Sequence, residues 1–363
     1  MNFSIKLVLV LIFLSNSWGL FSQKFSNEFL SIGVSAKAQA LGNAVSATVD
    51  DVTAAYWNPA GLSHFSENTG LQLSAMHAEW FAGVGNYDYF GVSLPMKKEG
   101  RRMALSLIRF GIDGIPNTLS LFEDDGTINY DNIIEFSAAD YAFLGTYSQR
   151  VKTKSGQLSI GGNIKVVRRL IGQFANSWGF GVDLGAQYRK GGLRLGLTAR
   201  DITTTFNSWS INFTEDEKVV LLETGNELPN IQSNEVTRPS FQLGAAYQLK
   251  FKNFSLTPEV DFFISTDGQR NVLISADPIS VDLGAGLELG YRDVVFLRAG
   301  IDQFQNELNF DGSESLLFRP SLGIGLKVAA FRVDYAFTDL GDSRNTFSHV
   351  ISLLLNLKKQ EQK

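Results

Sequence analysis

Trp178-Gly179-Phe180-Gly181-Val182-Asp183-Leu184-Gly185-Ala186-Gln187-Tyr188-Arg189 alternates without a break. Trp178, Phe180, Val182, Leu184, Ala186 and Tyr188 fall on one face. Gly179, Gly181, Asp183, Gly185, Gln187 and Arg189 fall on the other. A period of two marks a strand with two different surroundings. The apolar face has an aromatic at each end and smaller residues between, as interfacial girdles require of a strand that crosses a bilayer. The same alternation recurs in Leu193, Leu195, Leu197, Ala199, in Phe241, Leu243, Ala245, Tyr247, and in Phe331, Val333, Tyr335, Phe337.

About fourteen such segments follow one another from Thr69 on, each near the length that a tilted strand needs to span a membrane. They run roughly over 69–78, 84–95, 101–112, 137–150, 156–168, 177–189, 192–200, 239–249, 254–264, 279–291, 293–301, 317–327, 328–337 and 346–357. An even count suits a single-chain bacterial barrel. A soluble sandwich or propeller shows similar alternation, but the connections argue against it. Short, mostly basic turns occur at 97–100, 152–156, 190–192, 250–253, 291–293 and near Lys327. They alternate with long acidic ones at 113–136, 201–238, 265–278 and 302–316. Tight inner turns and extended outer loops give this parity. The expected fold is therefore all-β: a 14-stranded antiparallel transmembrane barrel.

Composition agrees. Among 363 residues are 34 Gly and 28 Phe but no Cys, and the net charge is -5. The missing Cys excludes a disulfide framework and a thiol nucleophile. The charge argues against nucleic acid as a partner. Mean hydropathy is -0.01, as expected where lipid-facing and lumen-facing residues alternate.

Residues 33–62 differ in character. They are small and compact, with Ala36, Ala38, Ala40, Gly42, Ala44, Ala47, Ala54 and Ala55. Asp50 and Asp51 are candidate helix N-caps for a turn or two over Val52–Trp57. Asn58, placed before Pro59, is biased out of the helical region and ends that turn. Gly61 is expected to turn the chain away through positive φ. An Ala-rich helix on the outside of a soluble domain would carry the same residues, but the strands downstream favour a plug inside a barrel. The expected division is a signal peptide over 1–22, a plug over 23–66, the barrel over 67–358 and a polar tail over 359–363. Lys6 followed by the apolar run Leu7–Leu14 carries the first of these readings.

Catalytic constellations are lacking. His64, His77 and His349 are far apart, and none has metal-ligand spacing. Gly284, Gly286 and Gly290 do not form a dinucleotide fingerprint. The acidic run 124–131 lacks the ligand spacing of a calcium loop. No enzyme activity, metal or cofactor is expected. The outer loops, with Trp209, Phe213 and Phe304 among acids, are instead expected to form a partner-binding rim.

The run Gln39-Ala40-Leu41-Gly42-Asn43-Ala44, then Asp50-Asp51, then Ala54-Ala55-Tyr56-Trp57-Asn58-Pro59-Ala60-Gly61-Leu62 resembles the N-terminal region of FadL-like outer-membrane barrels. It looks closest to the PorV/PorQ branch of the type IX secretion system. The closing segment Phe347–Leu353 also resembles that group, whereas the polar end at Lys358–Lys363 departs from barrels that finish on an aromatic. The resemblance implies an outer-membrane location and a fourteen-stranded barrel. It marks Gly33, Gly42, Asp50, Asp51, Trp57, Asn58, Pro59 and Gly61 as the plug motif. Its partners would be outer-membrane lipid and either the C-terminal domains of secreted cargo or proteins of the translocon and attachment machinery. The alternative role that it implies is a FadL-like channel for hydrophobic small molecules.

Overall fold

The computed structural model describes residues 26–65, 69–80, 83–123, 125–225, 232–309, 311–339 and 347–358. The expected signal peptide, Asp124 and the 359–363 tail lie outside them. Among the described residues seventeen strands run in order: β1 (Thr69–Trp80), β2 (Gly85–Pro95), β3 (Arg101–Asn117), β4 (Ile134–Val151), β5 (Gln157–Ile171) and β6 (Ala175–Lys190). Next come β7 (Leu193–Arg200), β8 (Thr205–Ile211), β9 (Gln232–Thr237), β10 (Ser240–Tyr247), β11 (Leu249–Phe251) and β12 (Phe254–Ser265). The chain finishes with β13 (Ser280–Tyr291), β14 (Val295–Leu308), β15 (Glu314–Val328), β16 (Phe331–Asp339) and β17 (Phe347–Lys358).

Each strand pairs antiparallel with its neighbours, and β17 returns to β1, with Ala75 opposite Leu353. The seam closes the wall into a cylinder, the condition for backbone to cross lipid. β6 bonds to β7 along its inner half and to β8 along its outer half. β7 pairs with β10, and β8 with β9. Hence β7 and β8 make one stave, and β9, β10 and β11 another, so the seventeen strands form fourteen staves.

The two faces of each stave are inverted relative to a water-soluble protein. On β6, Trp178, Phe180 and Leu184 are exposed, while Ser177, Gly179, Gly181, Asp183 and Gln187 are buried. On β15 and β16, Leu322, Leu326, Phe331 and Val333 face out, while Arg319 and Asp334 face in. The outward apolar band is the surface that meets lipid.

Residues 26–65 fill the bore. They include α1 (Ala36–Gln39), α2 (Ala54–Trp57) and 3-10 turns at Glu28–Ser31 and Pro59–His64. Val34, Ala36, Ala40, Val52, Ala54 and Leu62 are fully buried there. The strand positions that face them are glycines, which let two backbones approach closely. A Cβ on Gly161 would lie 2.5 Å from the Pro59 carbonyl carbon, and one on Gly286 would lie 2.5 Å from the Leu41 carbonyl oxygen. At Gly185, Gly196 and Gly300 it would collide with Asn58, Ser46 and Gly42 respectively. These glycines form a belt around the inner wall, and the small plug residues sit against it.

Three local expectations differ from the structure. Asp50 and Asp51 do not cap α2, whose N-cap is Thr53 without a side-chain bond. Asp51 Oδ1 instead accepts from the Thr53 amide at 3.0 Å, and its other oxygen pairs with Arg332. Gly61 does not turn the chain by positive φ. It lies inside a 3-10 turn, where a Cβ would strike the Val49 carbonyl. The expected outer loops are partly strand, although 265–278 stays irregular after Ser265. β3 and β4 continue to Asn117 and back from Ile134, and β14 continues to Leu308. Within 201–238, β8, a helix α3 (Glu215–Glu223) and β9 take up most of the length. α3 opens on a capping box formed by Thr214 and Glu217.

Candidate functional site: the outer cavity and the plug beneath it

Small residues bring the plug close to the wall, and buried polar groups then fasten it. Asn58, extended before Pro59, donates through Nδ2 to the Ser46 and Ala186 carbonyls at 2.9 and 3.1 Å. Its Oδ1 accepts from the Ala60 amide at 3.2 Å. Gln187 Nε2 donates to Ser46 O at 2.8 Å and to Val49 O at 3.1 Å. Two carboxylates of β12 meet the amides of the 45–47 turn. Asp261 Oδ2 accepts from Val45 and Ser46 at 3.2 and 3.0 Å, and Glu259 Oε1 accepts from Ala47 at 2.7 Å. Arg332 Nη2 reaches Asp51 at 2.7 Å, and Asn43 Nδ2 reaches Asp302 at 2.9 Å. Asp302 is also gripped by Arg319, through Nε at 2.8 Å and Nη2 at 2.6 Å.

Asn58 is thus the hub of the Asn-Pro-Ala-Gly-Leu run. Asn58→Leu leaves Ser46 O short of one donor and Ala60 N without its acceptor, a cost of about 2 kcal/mol. The urea midpoint of the folded barrel should fall accordingly, and protease should cut within 26–65 sooner than in the parent protein.

At the inner end, burial and then the positive field of Arg189 hold the His64 imidazole down to about 3, from an ordinary 6.5. The unfolded chain therefore binds a proton near pH 6.5 that the folded chain refuses. Stability falls as pH is lowered through the window between those two values. Burial pushes the Asp50 carboxyl up, but the charges of Lys37 and Arg189 outweigh it and hold it at about 2. Its contribution is therefore present above its ordinary 3.8 and is lost only in strong acid. Denaturant midpoints recorded between pH 7 and pH 5 should decline in the parent protein and flatten in His64→Gln.

Above the plug, toward the ends of the staves that carry the longer connections, lies a cavity of about 510 Å³. Its floor is Leu30, Tyr56 and Trp57, and its walls include Ile108, Leu144, Phe263 and Phe304. Trp57 is fixed by a bond from its Nε1 to the Val34 carbonyl at 2.8 Å and by Gly33, whose φ of 93° brings its backbone against the indole ring. Arg200 lies over both floor aromatics, 4.7 Å from the Tyr56 ring and 5.6 Å from Trp57. Its Nη2 donates to Gln242 at 3.3 Å. To one side the stave of β7 and β8 is bent at Asp201 and Thr204, both with positive φ. There Lys165 Nζ sits 3.1 Å from Asp183 and 2.6 Å from Asp201. Arg270 stands at the mouth, paired with Asp267 and Glu28 at 2.5 and 2.9 Å. The cavity is an aromatic and aliphatic floor inside a polar, charged collar. A second space, of about 10 Å³ among Lys37, Val45 and Asp51, is too small for an organic solute.

The expected plug residues are spread over this arrangement. Gly33 and Trp57 support the cavity floor. Gly42 presses on the β14 backbone at Ile301, and Pro59 lies against Gly161 and Gly185. Asp50 lies near the inner end, 3.6 Å from Arg189. The expected partner-binding rim is not formed by its three aromatics. Trp209 is buried, with Arg169 5.0 Å from its ring. Phe304 is buried in the cavity wall. Phe213 is half-buried, its ring 5.5 Å from that of Phe174. Tyr56, Ile108, Leu144, Arg200 and Phe263 of the cavity were not singled out by the sequence. The strand residues among them occupy inward positions of the alternation, which was the available signal. Among the described residues no cluster of three or more His, Asp or Glu is placed to hold a metal.

The architecture has close counterparts among solved structures. The crystal structure of the toluene transporter TodX of Pseudomonas putida matches with a TM-score of 0.55 and 14% identity over 93% of this chain and 100% of TodX. The chain has the FadL/TodX-like barrel fold. The monoaromatic hydrocarbon channel CymD matches with a TM-score of 0.52 and 13% identity, over 93% of this chain and 100% of CymD. The toluene transporter TbuX of Ralstonia pickettii gives 0.51 and 10%, over 90% of this chain and 98% of TbuX. At these identities the likeness is one of fold. No protein-family model matches the sequence, and no curated protein matches it.

Proposed function

We propose that this barrel is an outer-membrane channel for hydrophobic small molecules, with the cavity above the plug as their first binding site. The observation that carries this reading is the floor of Leu30, Tyr56 and Trp57 beneath a cavity open toward the long connections. Apolar surface drawn out of water onto that floor gives about 25 cal/mol per Å² before the cost of association. The barrels with the same fold include toluene transporters and a monoaromatic hydrocarbon channel, which supports a ligand of that kind. Onward passage requires the plug to shift, because the belt glycines and buried polar bonds hold it against the wall. The detergent-solubilised protein should bind toluene saturably, with quenching of tryptophan fluorescence, and Tyr56→Ala should weaken binding about tenfold. Absence of saturable binding with both monoaromatic and long-chain apolar probes would end this reading.

A second reading, a PorV/PorQ-like role in type IX secretion, draws support from the hairpins that extend past the outer end. The tip between β3 and β4 exposes Phe122, Ile128 and Tyr130 beside Glu123, Asp125 and Asp131. Exposed apolar residues set among acids suit a protein partner. The C-terminal domain of a secreted cargo protein should then be retained by the immobilised barrel and released by Phe122→Ser with Tyr130→Ser. Equal retention by the variant would remove the hairpin from consideration.

A further inference from the structure

The lipid-facing wall changes chemistry along one line. Across β1 to β6 the outward residues His77, Asp88, Arg109, Tyr141, Arg168 and Trp178 stand directly opposite one another, strand to strand. One outward step nearer the inner end the row reads Ala75, Phe90, Leu107, Phe143, Val166 and Phe180. Every member of that lower row is apolar. The boundary between hydrocarbon and headgroup on this side of the barrel therefore runs between the two rows.

Two cations stand on that boundary. Among the described residues, the other arginines and lysines of the spanning strands face the lumen or lie at the inner ends. The Arg109 guanidinium lies over Gly111, where a Cβ would come 2.5 Å from Nη2. It therefore leans toward the outer end. Arg168 leans the same way. Its guanidinium is 4.7 Å from the Trp178 ring, and its Nη1 donates to Asn176 Oδ1 at 2.7 Å and to Ser177 O at 3.4 Å. Long cationic side chains bend in this manner to keep the charged head at the membrane surface. One acid shares the row. Asp88 is engaged by His77 Nδ1 at 2.7 Å and by Arg109 Nη1 at 3.3 Å. Tyr141 stands between the two arginines, opposite each of them on the neighbouring strands. Arg109 and Arg168 belong to strands two spacings apart, about 10 Å. Each keeps further N–H donors, which suit phosphate oxygens.

We propose that Arg109, Tyr141 and Arg168 hold the phosphorylated headgroup of an outer-leaflet glycolipid, whose acyl chains lie on the apolar row below. The site is on the outside of the wall and is independent of the cavity. A lipid seated there would brace β3, β4 and β5, and the outer ends of β3 and β4 carry the hairpin that exposes Phe122, Ile128 and Tyr130.

Native mass spectrometry of the full chain in mixed micelles tests this. The probes are a bisphosphorylated lipid A, the same lipid without its phosphates, and inorganic phosphate. The parent protein should retain the phosphorylated lipid about tenfold more strongly than the dephosphorylated one, and Arg109→Gln with Arg168→Gln should abolish that preference. Equal retention of the two lipids, or an unchanged preference in the double variant, overturns the proposal. Inorganic phosphate competing as well as the lipid would also overturn it, leaving a free-anion site. Folding of the variant is read from its heat-dependent gel mobility. If the pair does not fold, Arg168→Gln alone keeps the Arg109–Asp88–His77 contacts and should lose most of the preference.

Discussion

Gly300→Val will dislodge the plug and turn a closed barrel into a conducting one. The Cβ position of Gly300 is occupied by the backbone between Leu41 and Gly42, and Gly42 in turn has its own Cβ space filled by Ile301. Two main chains cannot yield as a flexible side chain does. Overpacking a core costs about 1–3 kcal/mol even where side chains absorb it, and more where backbone must move. The wall is held by hydrogen-bonded ladders around its whole circumference. The plug is held by short turns and side-chain bonds, so the plug gives way. In planar bilayers the parent protein should be silent and the variant should pass ionic current. Gly196→Val, across the bore against Ser46 and Ala47, should behave alike. Gly145→Ala, on the lipid-facing side of β4, is the control, because nothing lies nearer than 4.0 Å to its Cβ position. A silent Gly300→Val barrel with an unaltered protease pattern would show that the plug is not seated against the wall as described.

Asp302→Leu is expected to cost about 3–5 kcal/mol, because it strands the buried Arg319 guanidinium without its carboxylate. Arg319 and Asp302 side chains are each only 3% exposed, and their bidentate pair is completed by Asn43 from the plug. The loss is thus shared between wall and plug. Its signature should be a large drop in the urea midpoint together with faster cleavage in 26–65. Replacing the partner as well, as Asp302→Leu with Arg319→Met, removes the stranded charge and should recover most of the loss. Failure of that double variant to recover would mean that the Asn43 link carries the effect.

The barrel was legible because lipid and lumen impose opposite demands on neighbouring residues. Trp178 to Arg189 alternates over its whole length for that reason, and so do Phe331 to Phe337. Near the outer end the demand weakens. In Thr205–Ile211, Phe206 points out and Trp209 points in, so the run mixes large and polar residues on both faces and reads as loop. Trp209 and Phe304 looked like exposed anchors for the same reason. Asp302 looked like a solvated loop acid, because its partner Arg319 lies on the next strand and pairing is invisible in one dimension. The plug motif was readable as a compact small-residue segment. What each of its residues touches was not, since Asn58 meets Ala186 and Leu197 only once the sheet has closed. The cavity was the least legible feature. Ile108, Leu144, Arg200 and Phe263 come from four different strands, and nothing but the closed cylinder brings them together.

The belt of glycines also constrains how the molecule is put together. Backbone atoms of Leu41, Ser46 and Pro59 pack against Gly300, Gly196 and Gly161 with no room for one further carbon between them. A segment that meets the wall this closely on several sides is seated most readily before the last stave arrives. Zipping of β17 onto β1 is then the step that traps it, and the final hydrogen-bonded seam works as a clasp fastened around its own contents.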